Sequence, residues 1–146
     1  MNKISIVFTF FYLVSLIEIL AGTGDIRVKY NFNPGWKVMK GDSVEAYKPS
    51  YNDNKWKNIT LPYAWNEDDA FKKDIVDLGT GIAWYRKHFK LPMEYSGKKV
   101  FIEFEGARQA AEIYVNGKYI GIHENGITAF GFDISAFVNF GEEEQT

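Results

Sequence analysis

The amino-acid sequence predicts an all-β protein, an antiparallel sandwich of jelly-roll or immunoglobulin type. Three observations carry that prediction. Apolar residues recur with a period of two rather than 3.6. An Asn-Gly pair, Asn116-Gly117, sits between two alternating runs. Aromatic residues make up 17% of the chain, and aromatic side chains favour pleated, half-buried surfaces.

The elements follow in order. Gly35-Trp36-Lys37-Val38 opens the domain. A short strand is expected over 57–61 and a longer one over 82–89, Ile82-Ala83-Trp84-Tyr85-Arg86-Lys87-His88-Phe89. Pro92 ends that run because it has no amide to give to a ladder. Ser96-Gly97-Lys98 turns the chain into the next strand. Over 100–105, Val100, Ile102 and Phe104 line one face, and Phe101, Glu103 and Glu105 line the other. Runs at 112–115 and 119–122 flank Asn116-Gly117, whose residues both accept the positive φ of a type I′ turn. A last short strand is expected over 129–134. Beyond it, residues 137–142 read as a turn leading into another strand, so the sandwich is expected to lack its final strands. No long window has helical periodicity. The charged, irregular stretch 68–77 reads as a long loop, and such loops inside compact domains are often functional.

Residues 1–22 have the layout of a secretory signal peptide. Lys3 gives a short positive region, an apolar run follows, and Ala21-Gly22 supplies small residues for cleavage. Glu18 interrupts the run before the roughly 20 apolar residues that a membrane span needs. No stable membrane span is expected after cleavage, and the domain proper runs from 23 to 146. Loss of Lys3 and Glu18 leaves the net charge at -2. Export to a bacterial periplasm or to the medium is expected, because the chain has no cysteine for the disulfides of a eukaryotic secretory route.

The same composition excludes several chemistries. With Cys absent there are no disulfides, thiolate metal sites or cysteine nucleophiles. Two histidines, His88 and His123, do not make a three-histidine metal site. Neither lies near a nucleophile elbow or a zinc-binding helix motif, so both read as structural. The acidic balance argues against a nucleic-acid partner. No phosphate loop or dinucleotide fingerprint is present, and no cofactor or metal is expected. Glu103 and Glu105 stand about 7 Å apart by strand rise, a spacing open to a glycosidase pair. A solvated strand face is the simpler reading. Asp68-Asp69 and Glu142-Glu143-Glu144 read as loop solvation rather than calcium sites, because no EF-hand spacing accompanies them. Trp36, Trp56, Trp65 and Trp84 are core candidates, although Tyr63, Trp65 and Tyr114 have the chemistry to stack on a sugar ring.

A series of motifs adds a more specific reading. Asn31-Phe32-Asn33-Pro34-Gly35-Trp36-Lys37-Val38 is followed by Tyr51-Asn52-Asp53-Asn54-Lys55-Trp56 and Leu61-Pro62-Tyr63-Ala64-Trp65-Asn66. Gly81-Ile82-Ala83-Trp84-Tyr85-Arg86-Lys87, Phe104-Glu105-Gly106-Ala107, Val115-Asn116-Gly117-Lys118 and Phe132-Asp133-Ile134-Ser135 complete it. In order and spacing this series resembles the N-terminal sugar-binding domain of family 2 glycoside hydrolases, in particular their β-galactosidase-like members. The resemblance covers about residues 30–142. It implies an all-β, antiparallel jelly-roll (galactose-binding-like) β-sandwich and a carbohydrate partner, with the rest of a glycosidase as a second partner. It also implies that the two catalytic glutamates belong to a (β/α)₈ barrel, which needs about 250 residues and is not in this chain. Catalytic residues are therefore expected to be absent, and the chain alone is expected to be inactive. The resemblance points to the loop over 66–80 as a lip of the substrate pocket. Trp65, Asn66, Asp68, Asp69, Asp74 and Asp77 are the substrate-binding candidates. Tyr63-Ala64 stands where the family commonly has His-Asp, so a polar contact is lost there. Arg86 is expected to bridge strands or an acidic loop, and Gly106 and Gly121 to permit bulges or close approach.

Overall fold

In the computed structural model, residues 27–66 and 81–146 are described. The signal peptide expected over 1–22 lies outside them, as does most of the loop over 66–80. The chain divides into two units, Met1–Asn31 and Phe32–Thr146. Of the first, residues 27–31 are described and form no strand or helix.

The second unit is all-β among the described residues. Its strands are β1 (Trp36–Lys40), β2 (Lys57–Ile59), β3 (Ala83–Lys87), β4 (Phe101–Phe104), β5 (Ala111–Val115), β6 (Lys118–His123) and β7 (Phe130–Asp133). Each lies on an expected stretch; β2, β3, β4 and β7 are shorter than expected, and β1, β5 and β6 extend a residue or two further. One sheet has the order β2-β1-β3, and β4-β7 and β5-β6 form two further antiparallel pairs. A 3-10 turn at Met93–Tyr95 and the positive φ of Gly97 carry the chain from the Pro92 stop to β4.

The hairpin β5-β6 shows why the Asn-Gly signal is strong. Asn116 has φ 51° and Gly117 φ 79°, both left-handed, so the turn twists with its strands instead of splaying them. Val115 faces Lys118 across it. A Cβ on Gly117 would come within 2.9 Å of Pro49 Cδ, so the loop before β2 packs on the turn itself. A β-bulge between Ile113 and Tyr114 interrupts the ladder.

Alternation on β4 survives intact: Ile102 and Phe104 turn inward, and Phe101 and Glu103 face outward. The interior consists of two apolar clusters. Trp36, Val38 and Ile59 form one, with Tyr85, Trp65 and Phe104 packed against it. Val115, Ile134 and Val138 form the other, with Ile102, Ile120 and Phe132 around them. Gly121 faces the second cluster, where a Cβ would meet Phe132 Cε1 at 2.5 Å. Gly106 has open space around it and no such role.

The stretch after β7 turns at Ile134–Phe137, and Gly141 donates its amide to Leu91 O at 2.8 Å. Gln145 then pairs with Phe89 as an antiparallel bridge, with N···O distances of 3.1 and 2.7 Å. Gln145 is fully buried. Its side-chain oxygen accepts from Asn116 Nδ2 at 2.7 Å and from the Asn139 amide at 2.9 Å, and its Nε2 donates to Glu143 O at 2.8 Å. Every polar atom of this buried amide is thereby satisfied.

Candidate functional site

Of the sequence candidates, Trp65 and Asn66 are described, and they follow β2. Chain leaving Ile59 is pinned by the Leu61 amide, which donates to Asn33 O at 2.9 Å. The Tyr85 hydroxyl reaches across from β3 and donates to Tyr63 O at 2.9 Å. Burial pushes the Tyr85 phenol above its ordinary value, against a lowering contribution from the Trp65 backbone. These ties set Trp65 and Asn66, both half-buried, at the end of the described stretch. Trp65 packs on the first core cluster, and Lys40 Nζ lies 4.7 Å from its ring centroid. One face of the indole thus meets protein and the ring also carries a cation, the arrangement of an anchoring residue more than of a bare stacking platform. Asp68, Asp69, Asp74 and Asp77 lie outside the described residues. Ala64 is exposed and carries no polar group.

Tyr63 gives its hydroxyl to Lys57 as an acceptor at 2.7 Å, with Lys57 Nζ 4.8 Å from the ring centroid. Tyr114 lies between Tyr47, Trp84 and Tyr119, at centroid separations of 5.6, 5.9 and 5.5 Å. Its hydroxyl donates to Glu112 Oε2 at 2.7 Å, and that bond pushes the phenol up to about 12. Glu103 and Glu105 are both exposed on the outer face of their strand. Among the described residues, no group of three His, Asp or Glu side chains is disposed to hold a metal ion.

A buried polar cluster is the part that the sequence reading did not assemble. Asp53, 6% exposed, accepts from Lys37 Nζ at 2.6 Å and meets His88 Nε2 at 2.7 Å. Arg86, 4% exposed, donates to Ala46 O, Lys48 O and Pro49 O at 3.0, 2.8 and 2.9 Å. Its Nε makes no hydrogen bond but faces Asp53 Oδ2 at 3.3 Å. Burial alone would raise the Asp53 carboxyl. The hydrogen bonds from Lys37 and His88 outweigh it and hold the group below its ordinary value. His88 also meets Thr146 Oγ1 at 3.0 Å through Nδ1. The cluster lashes the loop before β2 onto the outer face of the first sheet. Arg86 bridges to that loop through three backbone carbonyls and through the Asp53 carboxylate. The available signal was an arginine within the Trp-Tyr-Arg-Lys strand, because a charge at a covered position demands partners. Nothing local named Asp53 as the partner, 33 residues away in sequence.

Among the described residues the arrangement is one of ring faces, amides and paired charges, with no carboxylate pair disposed for hydrolysis. Comparisons agree with that reading. Residues 38–146 match the sequence model of Glycosyl hydrolases family 2, sugar binding domain. A beta-glucuronidase of Formosa agariphila is 43% identical over 130 residues, covering 83% of this chain and 13% of the relative. A beta-galactosidase of Thermoanaerobacter pseudethanolicus is 38% identical over 116 residues, covering 78% of this chain and 15% of the relative. Among solved structures, the Bacteroides uniformis beta-glucuronidase superposes with a TM-score of 0.72 at 34% identity, covering 80% of this chain and 14% of that one. The chain thus spans about one seventh of the relatives it matches, and a catalytic barrel is not within it. The chain belongs to the family 2 glycosyl hydrolases and constitutes their N-terminal sugar-binding β-sandwich domain.

Proposed function

We propose that the chain is exported and serves as the sugar-binding and accessory domain of a family 2 glycoside hydrolase acting on a neutral, β-galactoside-like carbohydrate. The observation that carries this reading is the match over residues 38–146, which takes in the sandwich while covering only 13–15% of enzymes that cleave sugars. Hydrolysis belongs to the whole protein, with retention through a covalent glycosyl-enzyme. This chain contributes the lip of the pocket, through Trp65, Asn66 and the loop after them. That loop carries Glu67, Asp68, Asp69, Asp74 and Asp77 against Lys72 and Lys73. Such an acidic lip favours a neutral glycoside over a glucuronide, whose carboxylate it would repel. The signal-peptide pattern of residues 1–22 supports export.

The test uses the purified chain with chromogenic β-galactoside and β-glucuronide. No turnover is expected from either, and turnover by the chain alone would overturn the accessory role. In a parallel nuclear magnetic resonance titration with the uncoloured methyl glycosides, the Trp65 indole and Asn66 amide signals should move with galactoside and stay fixed with glucuronide. The reverse preference would overturn the choice of a neutral sugar.

A further inference from the structure

Four aromatic side chains meet outside the core. Tyr114 on β5 is central, and its ring centroid is 5.6 Å from that of Tyr47, 5.9 Å from that of Trp84 and 5.5 Å from that of Tyr119. Tyr47 comes from the stretch between β1 and β2, Trp84 from β3 and Tyr119 from β6. The sequence made Trp84 a core candidate. Among the described residues, however, none of the four rings belongs to or packs against either apolar cluster. Strand alternation is the reason. Tyr85 packs on the first cluster, so its neighbour Trp84 points to the opposite face. Trp65 packs on that same cluster, so Trp84 and Trp65 stand on opposite faces of the first sheet.

The rings are partly open to solvent. Tyr47, Trp84 and Tyr114 are half-buried, and Tyr119 is 52% exposed. The Tyr47 and Trp84 planes tilt from that of Tyr114 by 32° and 40°, and the Tyr119 plane by 64°. Rings so inclined make a curved apolar surface instead of a flat one. Carboxylates border it. Asp42 Oδ1 accepts the Trp84 indole N–H at 3.3 Å, and Glu112 Oε2 accepts the Tyr114 hydroxyl at 2.7 Å. Both acids are exposed. An ionised carboxylate has about four lone-pair sites, so each keeps acceptors for a ligand.

That chemistry selects a ligand class. Ring faces take the C–H surface of a pyranose, and carboxylates accept from its hydroxyl groups. A purely apolar partner would strip water from Asp42 and Glu112 and give nothing back. A sugar acid would meet like charge. Several rings in place of one suit a chain of sugars better than a single sugar.

We propose that Tyr47, Trp84, Tyr114 and Tyr119, with Asp42 and Glu112, form a second carbohydrate site, which holds a neutral oligosaccharide chain on the opposite face of the first sheet from Trp65. Binding there needs neither the lip nor a catalytic residue. Its use, keeping a polymeric glycan beside an enzyme that cleaves it, rests on the function proposed above.

The test titrates the full chain with a β-linked galactotetraose and follows the Trp84 indole N–H and the Glu112 and Tyr114 amides by nuclear magnetic resonance. These signals should move and saturate. Tyr119→Ala removes an exposed ring and should weaken that binding about 5-fold or more, while its Trp65 and Asn66 signals keep their original positions and report that the fold persists. Glu112→Gln retains an acceptor for the Tyr114 hydroxyl and should admit tetragalacturonate, which the parent chain should reject. Unmoved Trp84, Glu112 and Tyr114 signals would overturn the proposal, as would undiminished binding by Tyr119→Ala. Shifts confined to Trp65 and Asn66 would keep the lip and remove the second site. Concentration-dependent broadening of the Trp84 and Tyr114 signals without sugar would also overturn it, because a second copy of the chain would then be the occupant.

Discussion

Arg86 is the single side chain on which most of the loop before β2 depends. Its guanidinium holds three carbonyls at 2.8–3.0 Å and faces a buried carboxylate. Lysine keeps the charge but has neither the planar fork nor the reach to serve three acceptors. Arg86→Lys is expected to cost about 3 kcal/mol, read as a lower urea midpoint with an unchanged slope. A loss below about 0.5 kcal/mol would show that the carbonyls find water instead. The residue scale is also where sequence reasoning fell short. The tie between Asp53 and Arg86 joins residues from a loop and a strand with no periodic pattern linking them. Asp53 alone looks like an ordinary loop charge, and Arg86 signals a need for partners without naming them.

Elements were far more legible. Asn116-Gly117 predicted its hairpin because turn geometry is set by two adjacent residues and their allowed φ. Alternation on β4 fixed which residues face inward because the strand period is two. The bulge at Ile113–Tyr114 left no trace in composition, since an inserted residue need not be glycine. Gly121 illustrates an intermediate case. Its sequence context suggested close approach, and only the packing showed that the Phe132 ring sits over it. Gly121→Ala is expected to push that ring aside and cost about 1–3 kcal/mol. Combining it with Phe132→Leu should recover part of the loss, because neighbouring substitutions couple. Simple additivity in thermal unfolding would locate the strain elsewhere.

At the scale of the whole molecule, acid sensitivity follows from carboxylates that fold into cationic partners. Lys99 and Ser135 hold the Asp133 carboxyl down to about 2, and Asp53 is lowered as well. Their ordinary value is about 3.9. A depressed folded value contributes stability that is complete above the ordinary value and is lost as pH falls through the folded one. The urea midpoint should therefore be flat above about pH 5 and fall between about pH 4 and pH 2. Asp133→Asn should make that fall shallower, and an unaltered profile would remove Asp133 from the account. The candidate site was legible at this scale only as a place. The order of motifs pointed to Trp65 and Asn66, but the side chains around them have partners that are far away in sequence.

The cluster of Tyr47, Tyr119 and Trp84 around Tyr114 has an optical consequence. Light absorbed by Tyr114 passes to the Trp84 indole by resonance transfer, which is efficient at their ring separation of 5.9 Å. Because Trp84 stands on β3 and Tyr114 on β5, the ratio of tyrosine to tryptophan emission is an intrinsic gauge of whether those two strands stay together. It requires no added label.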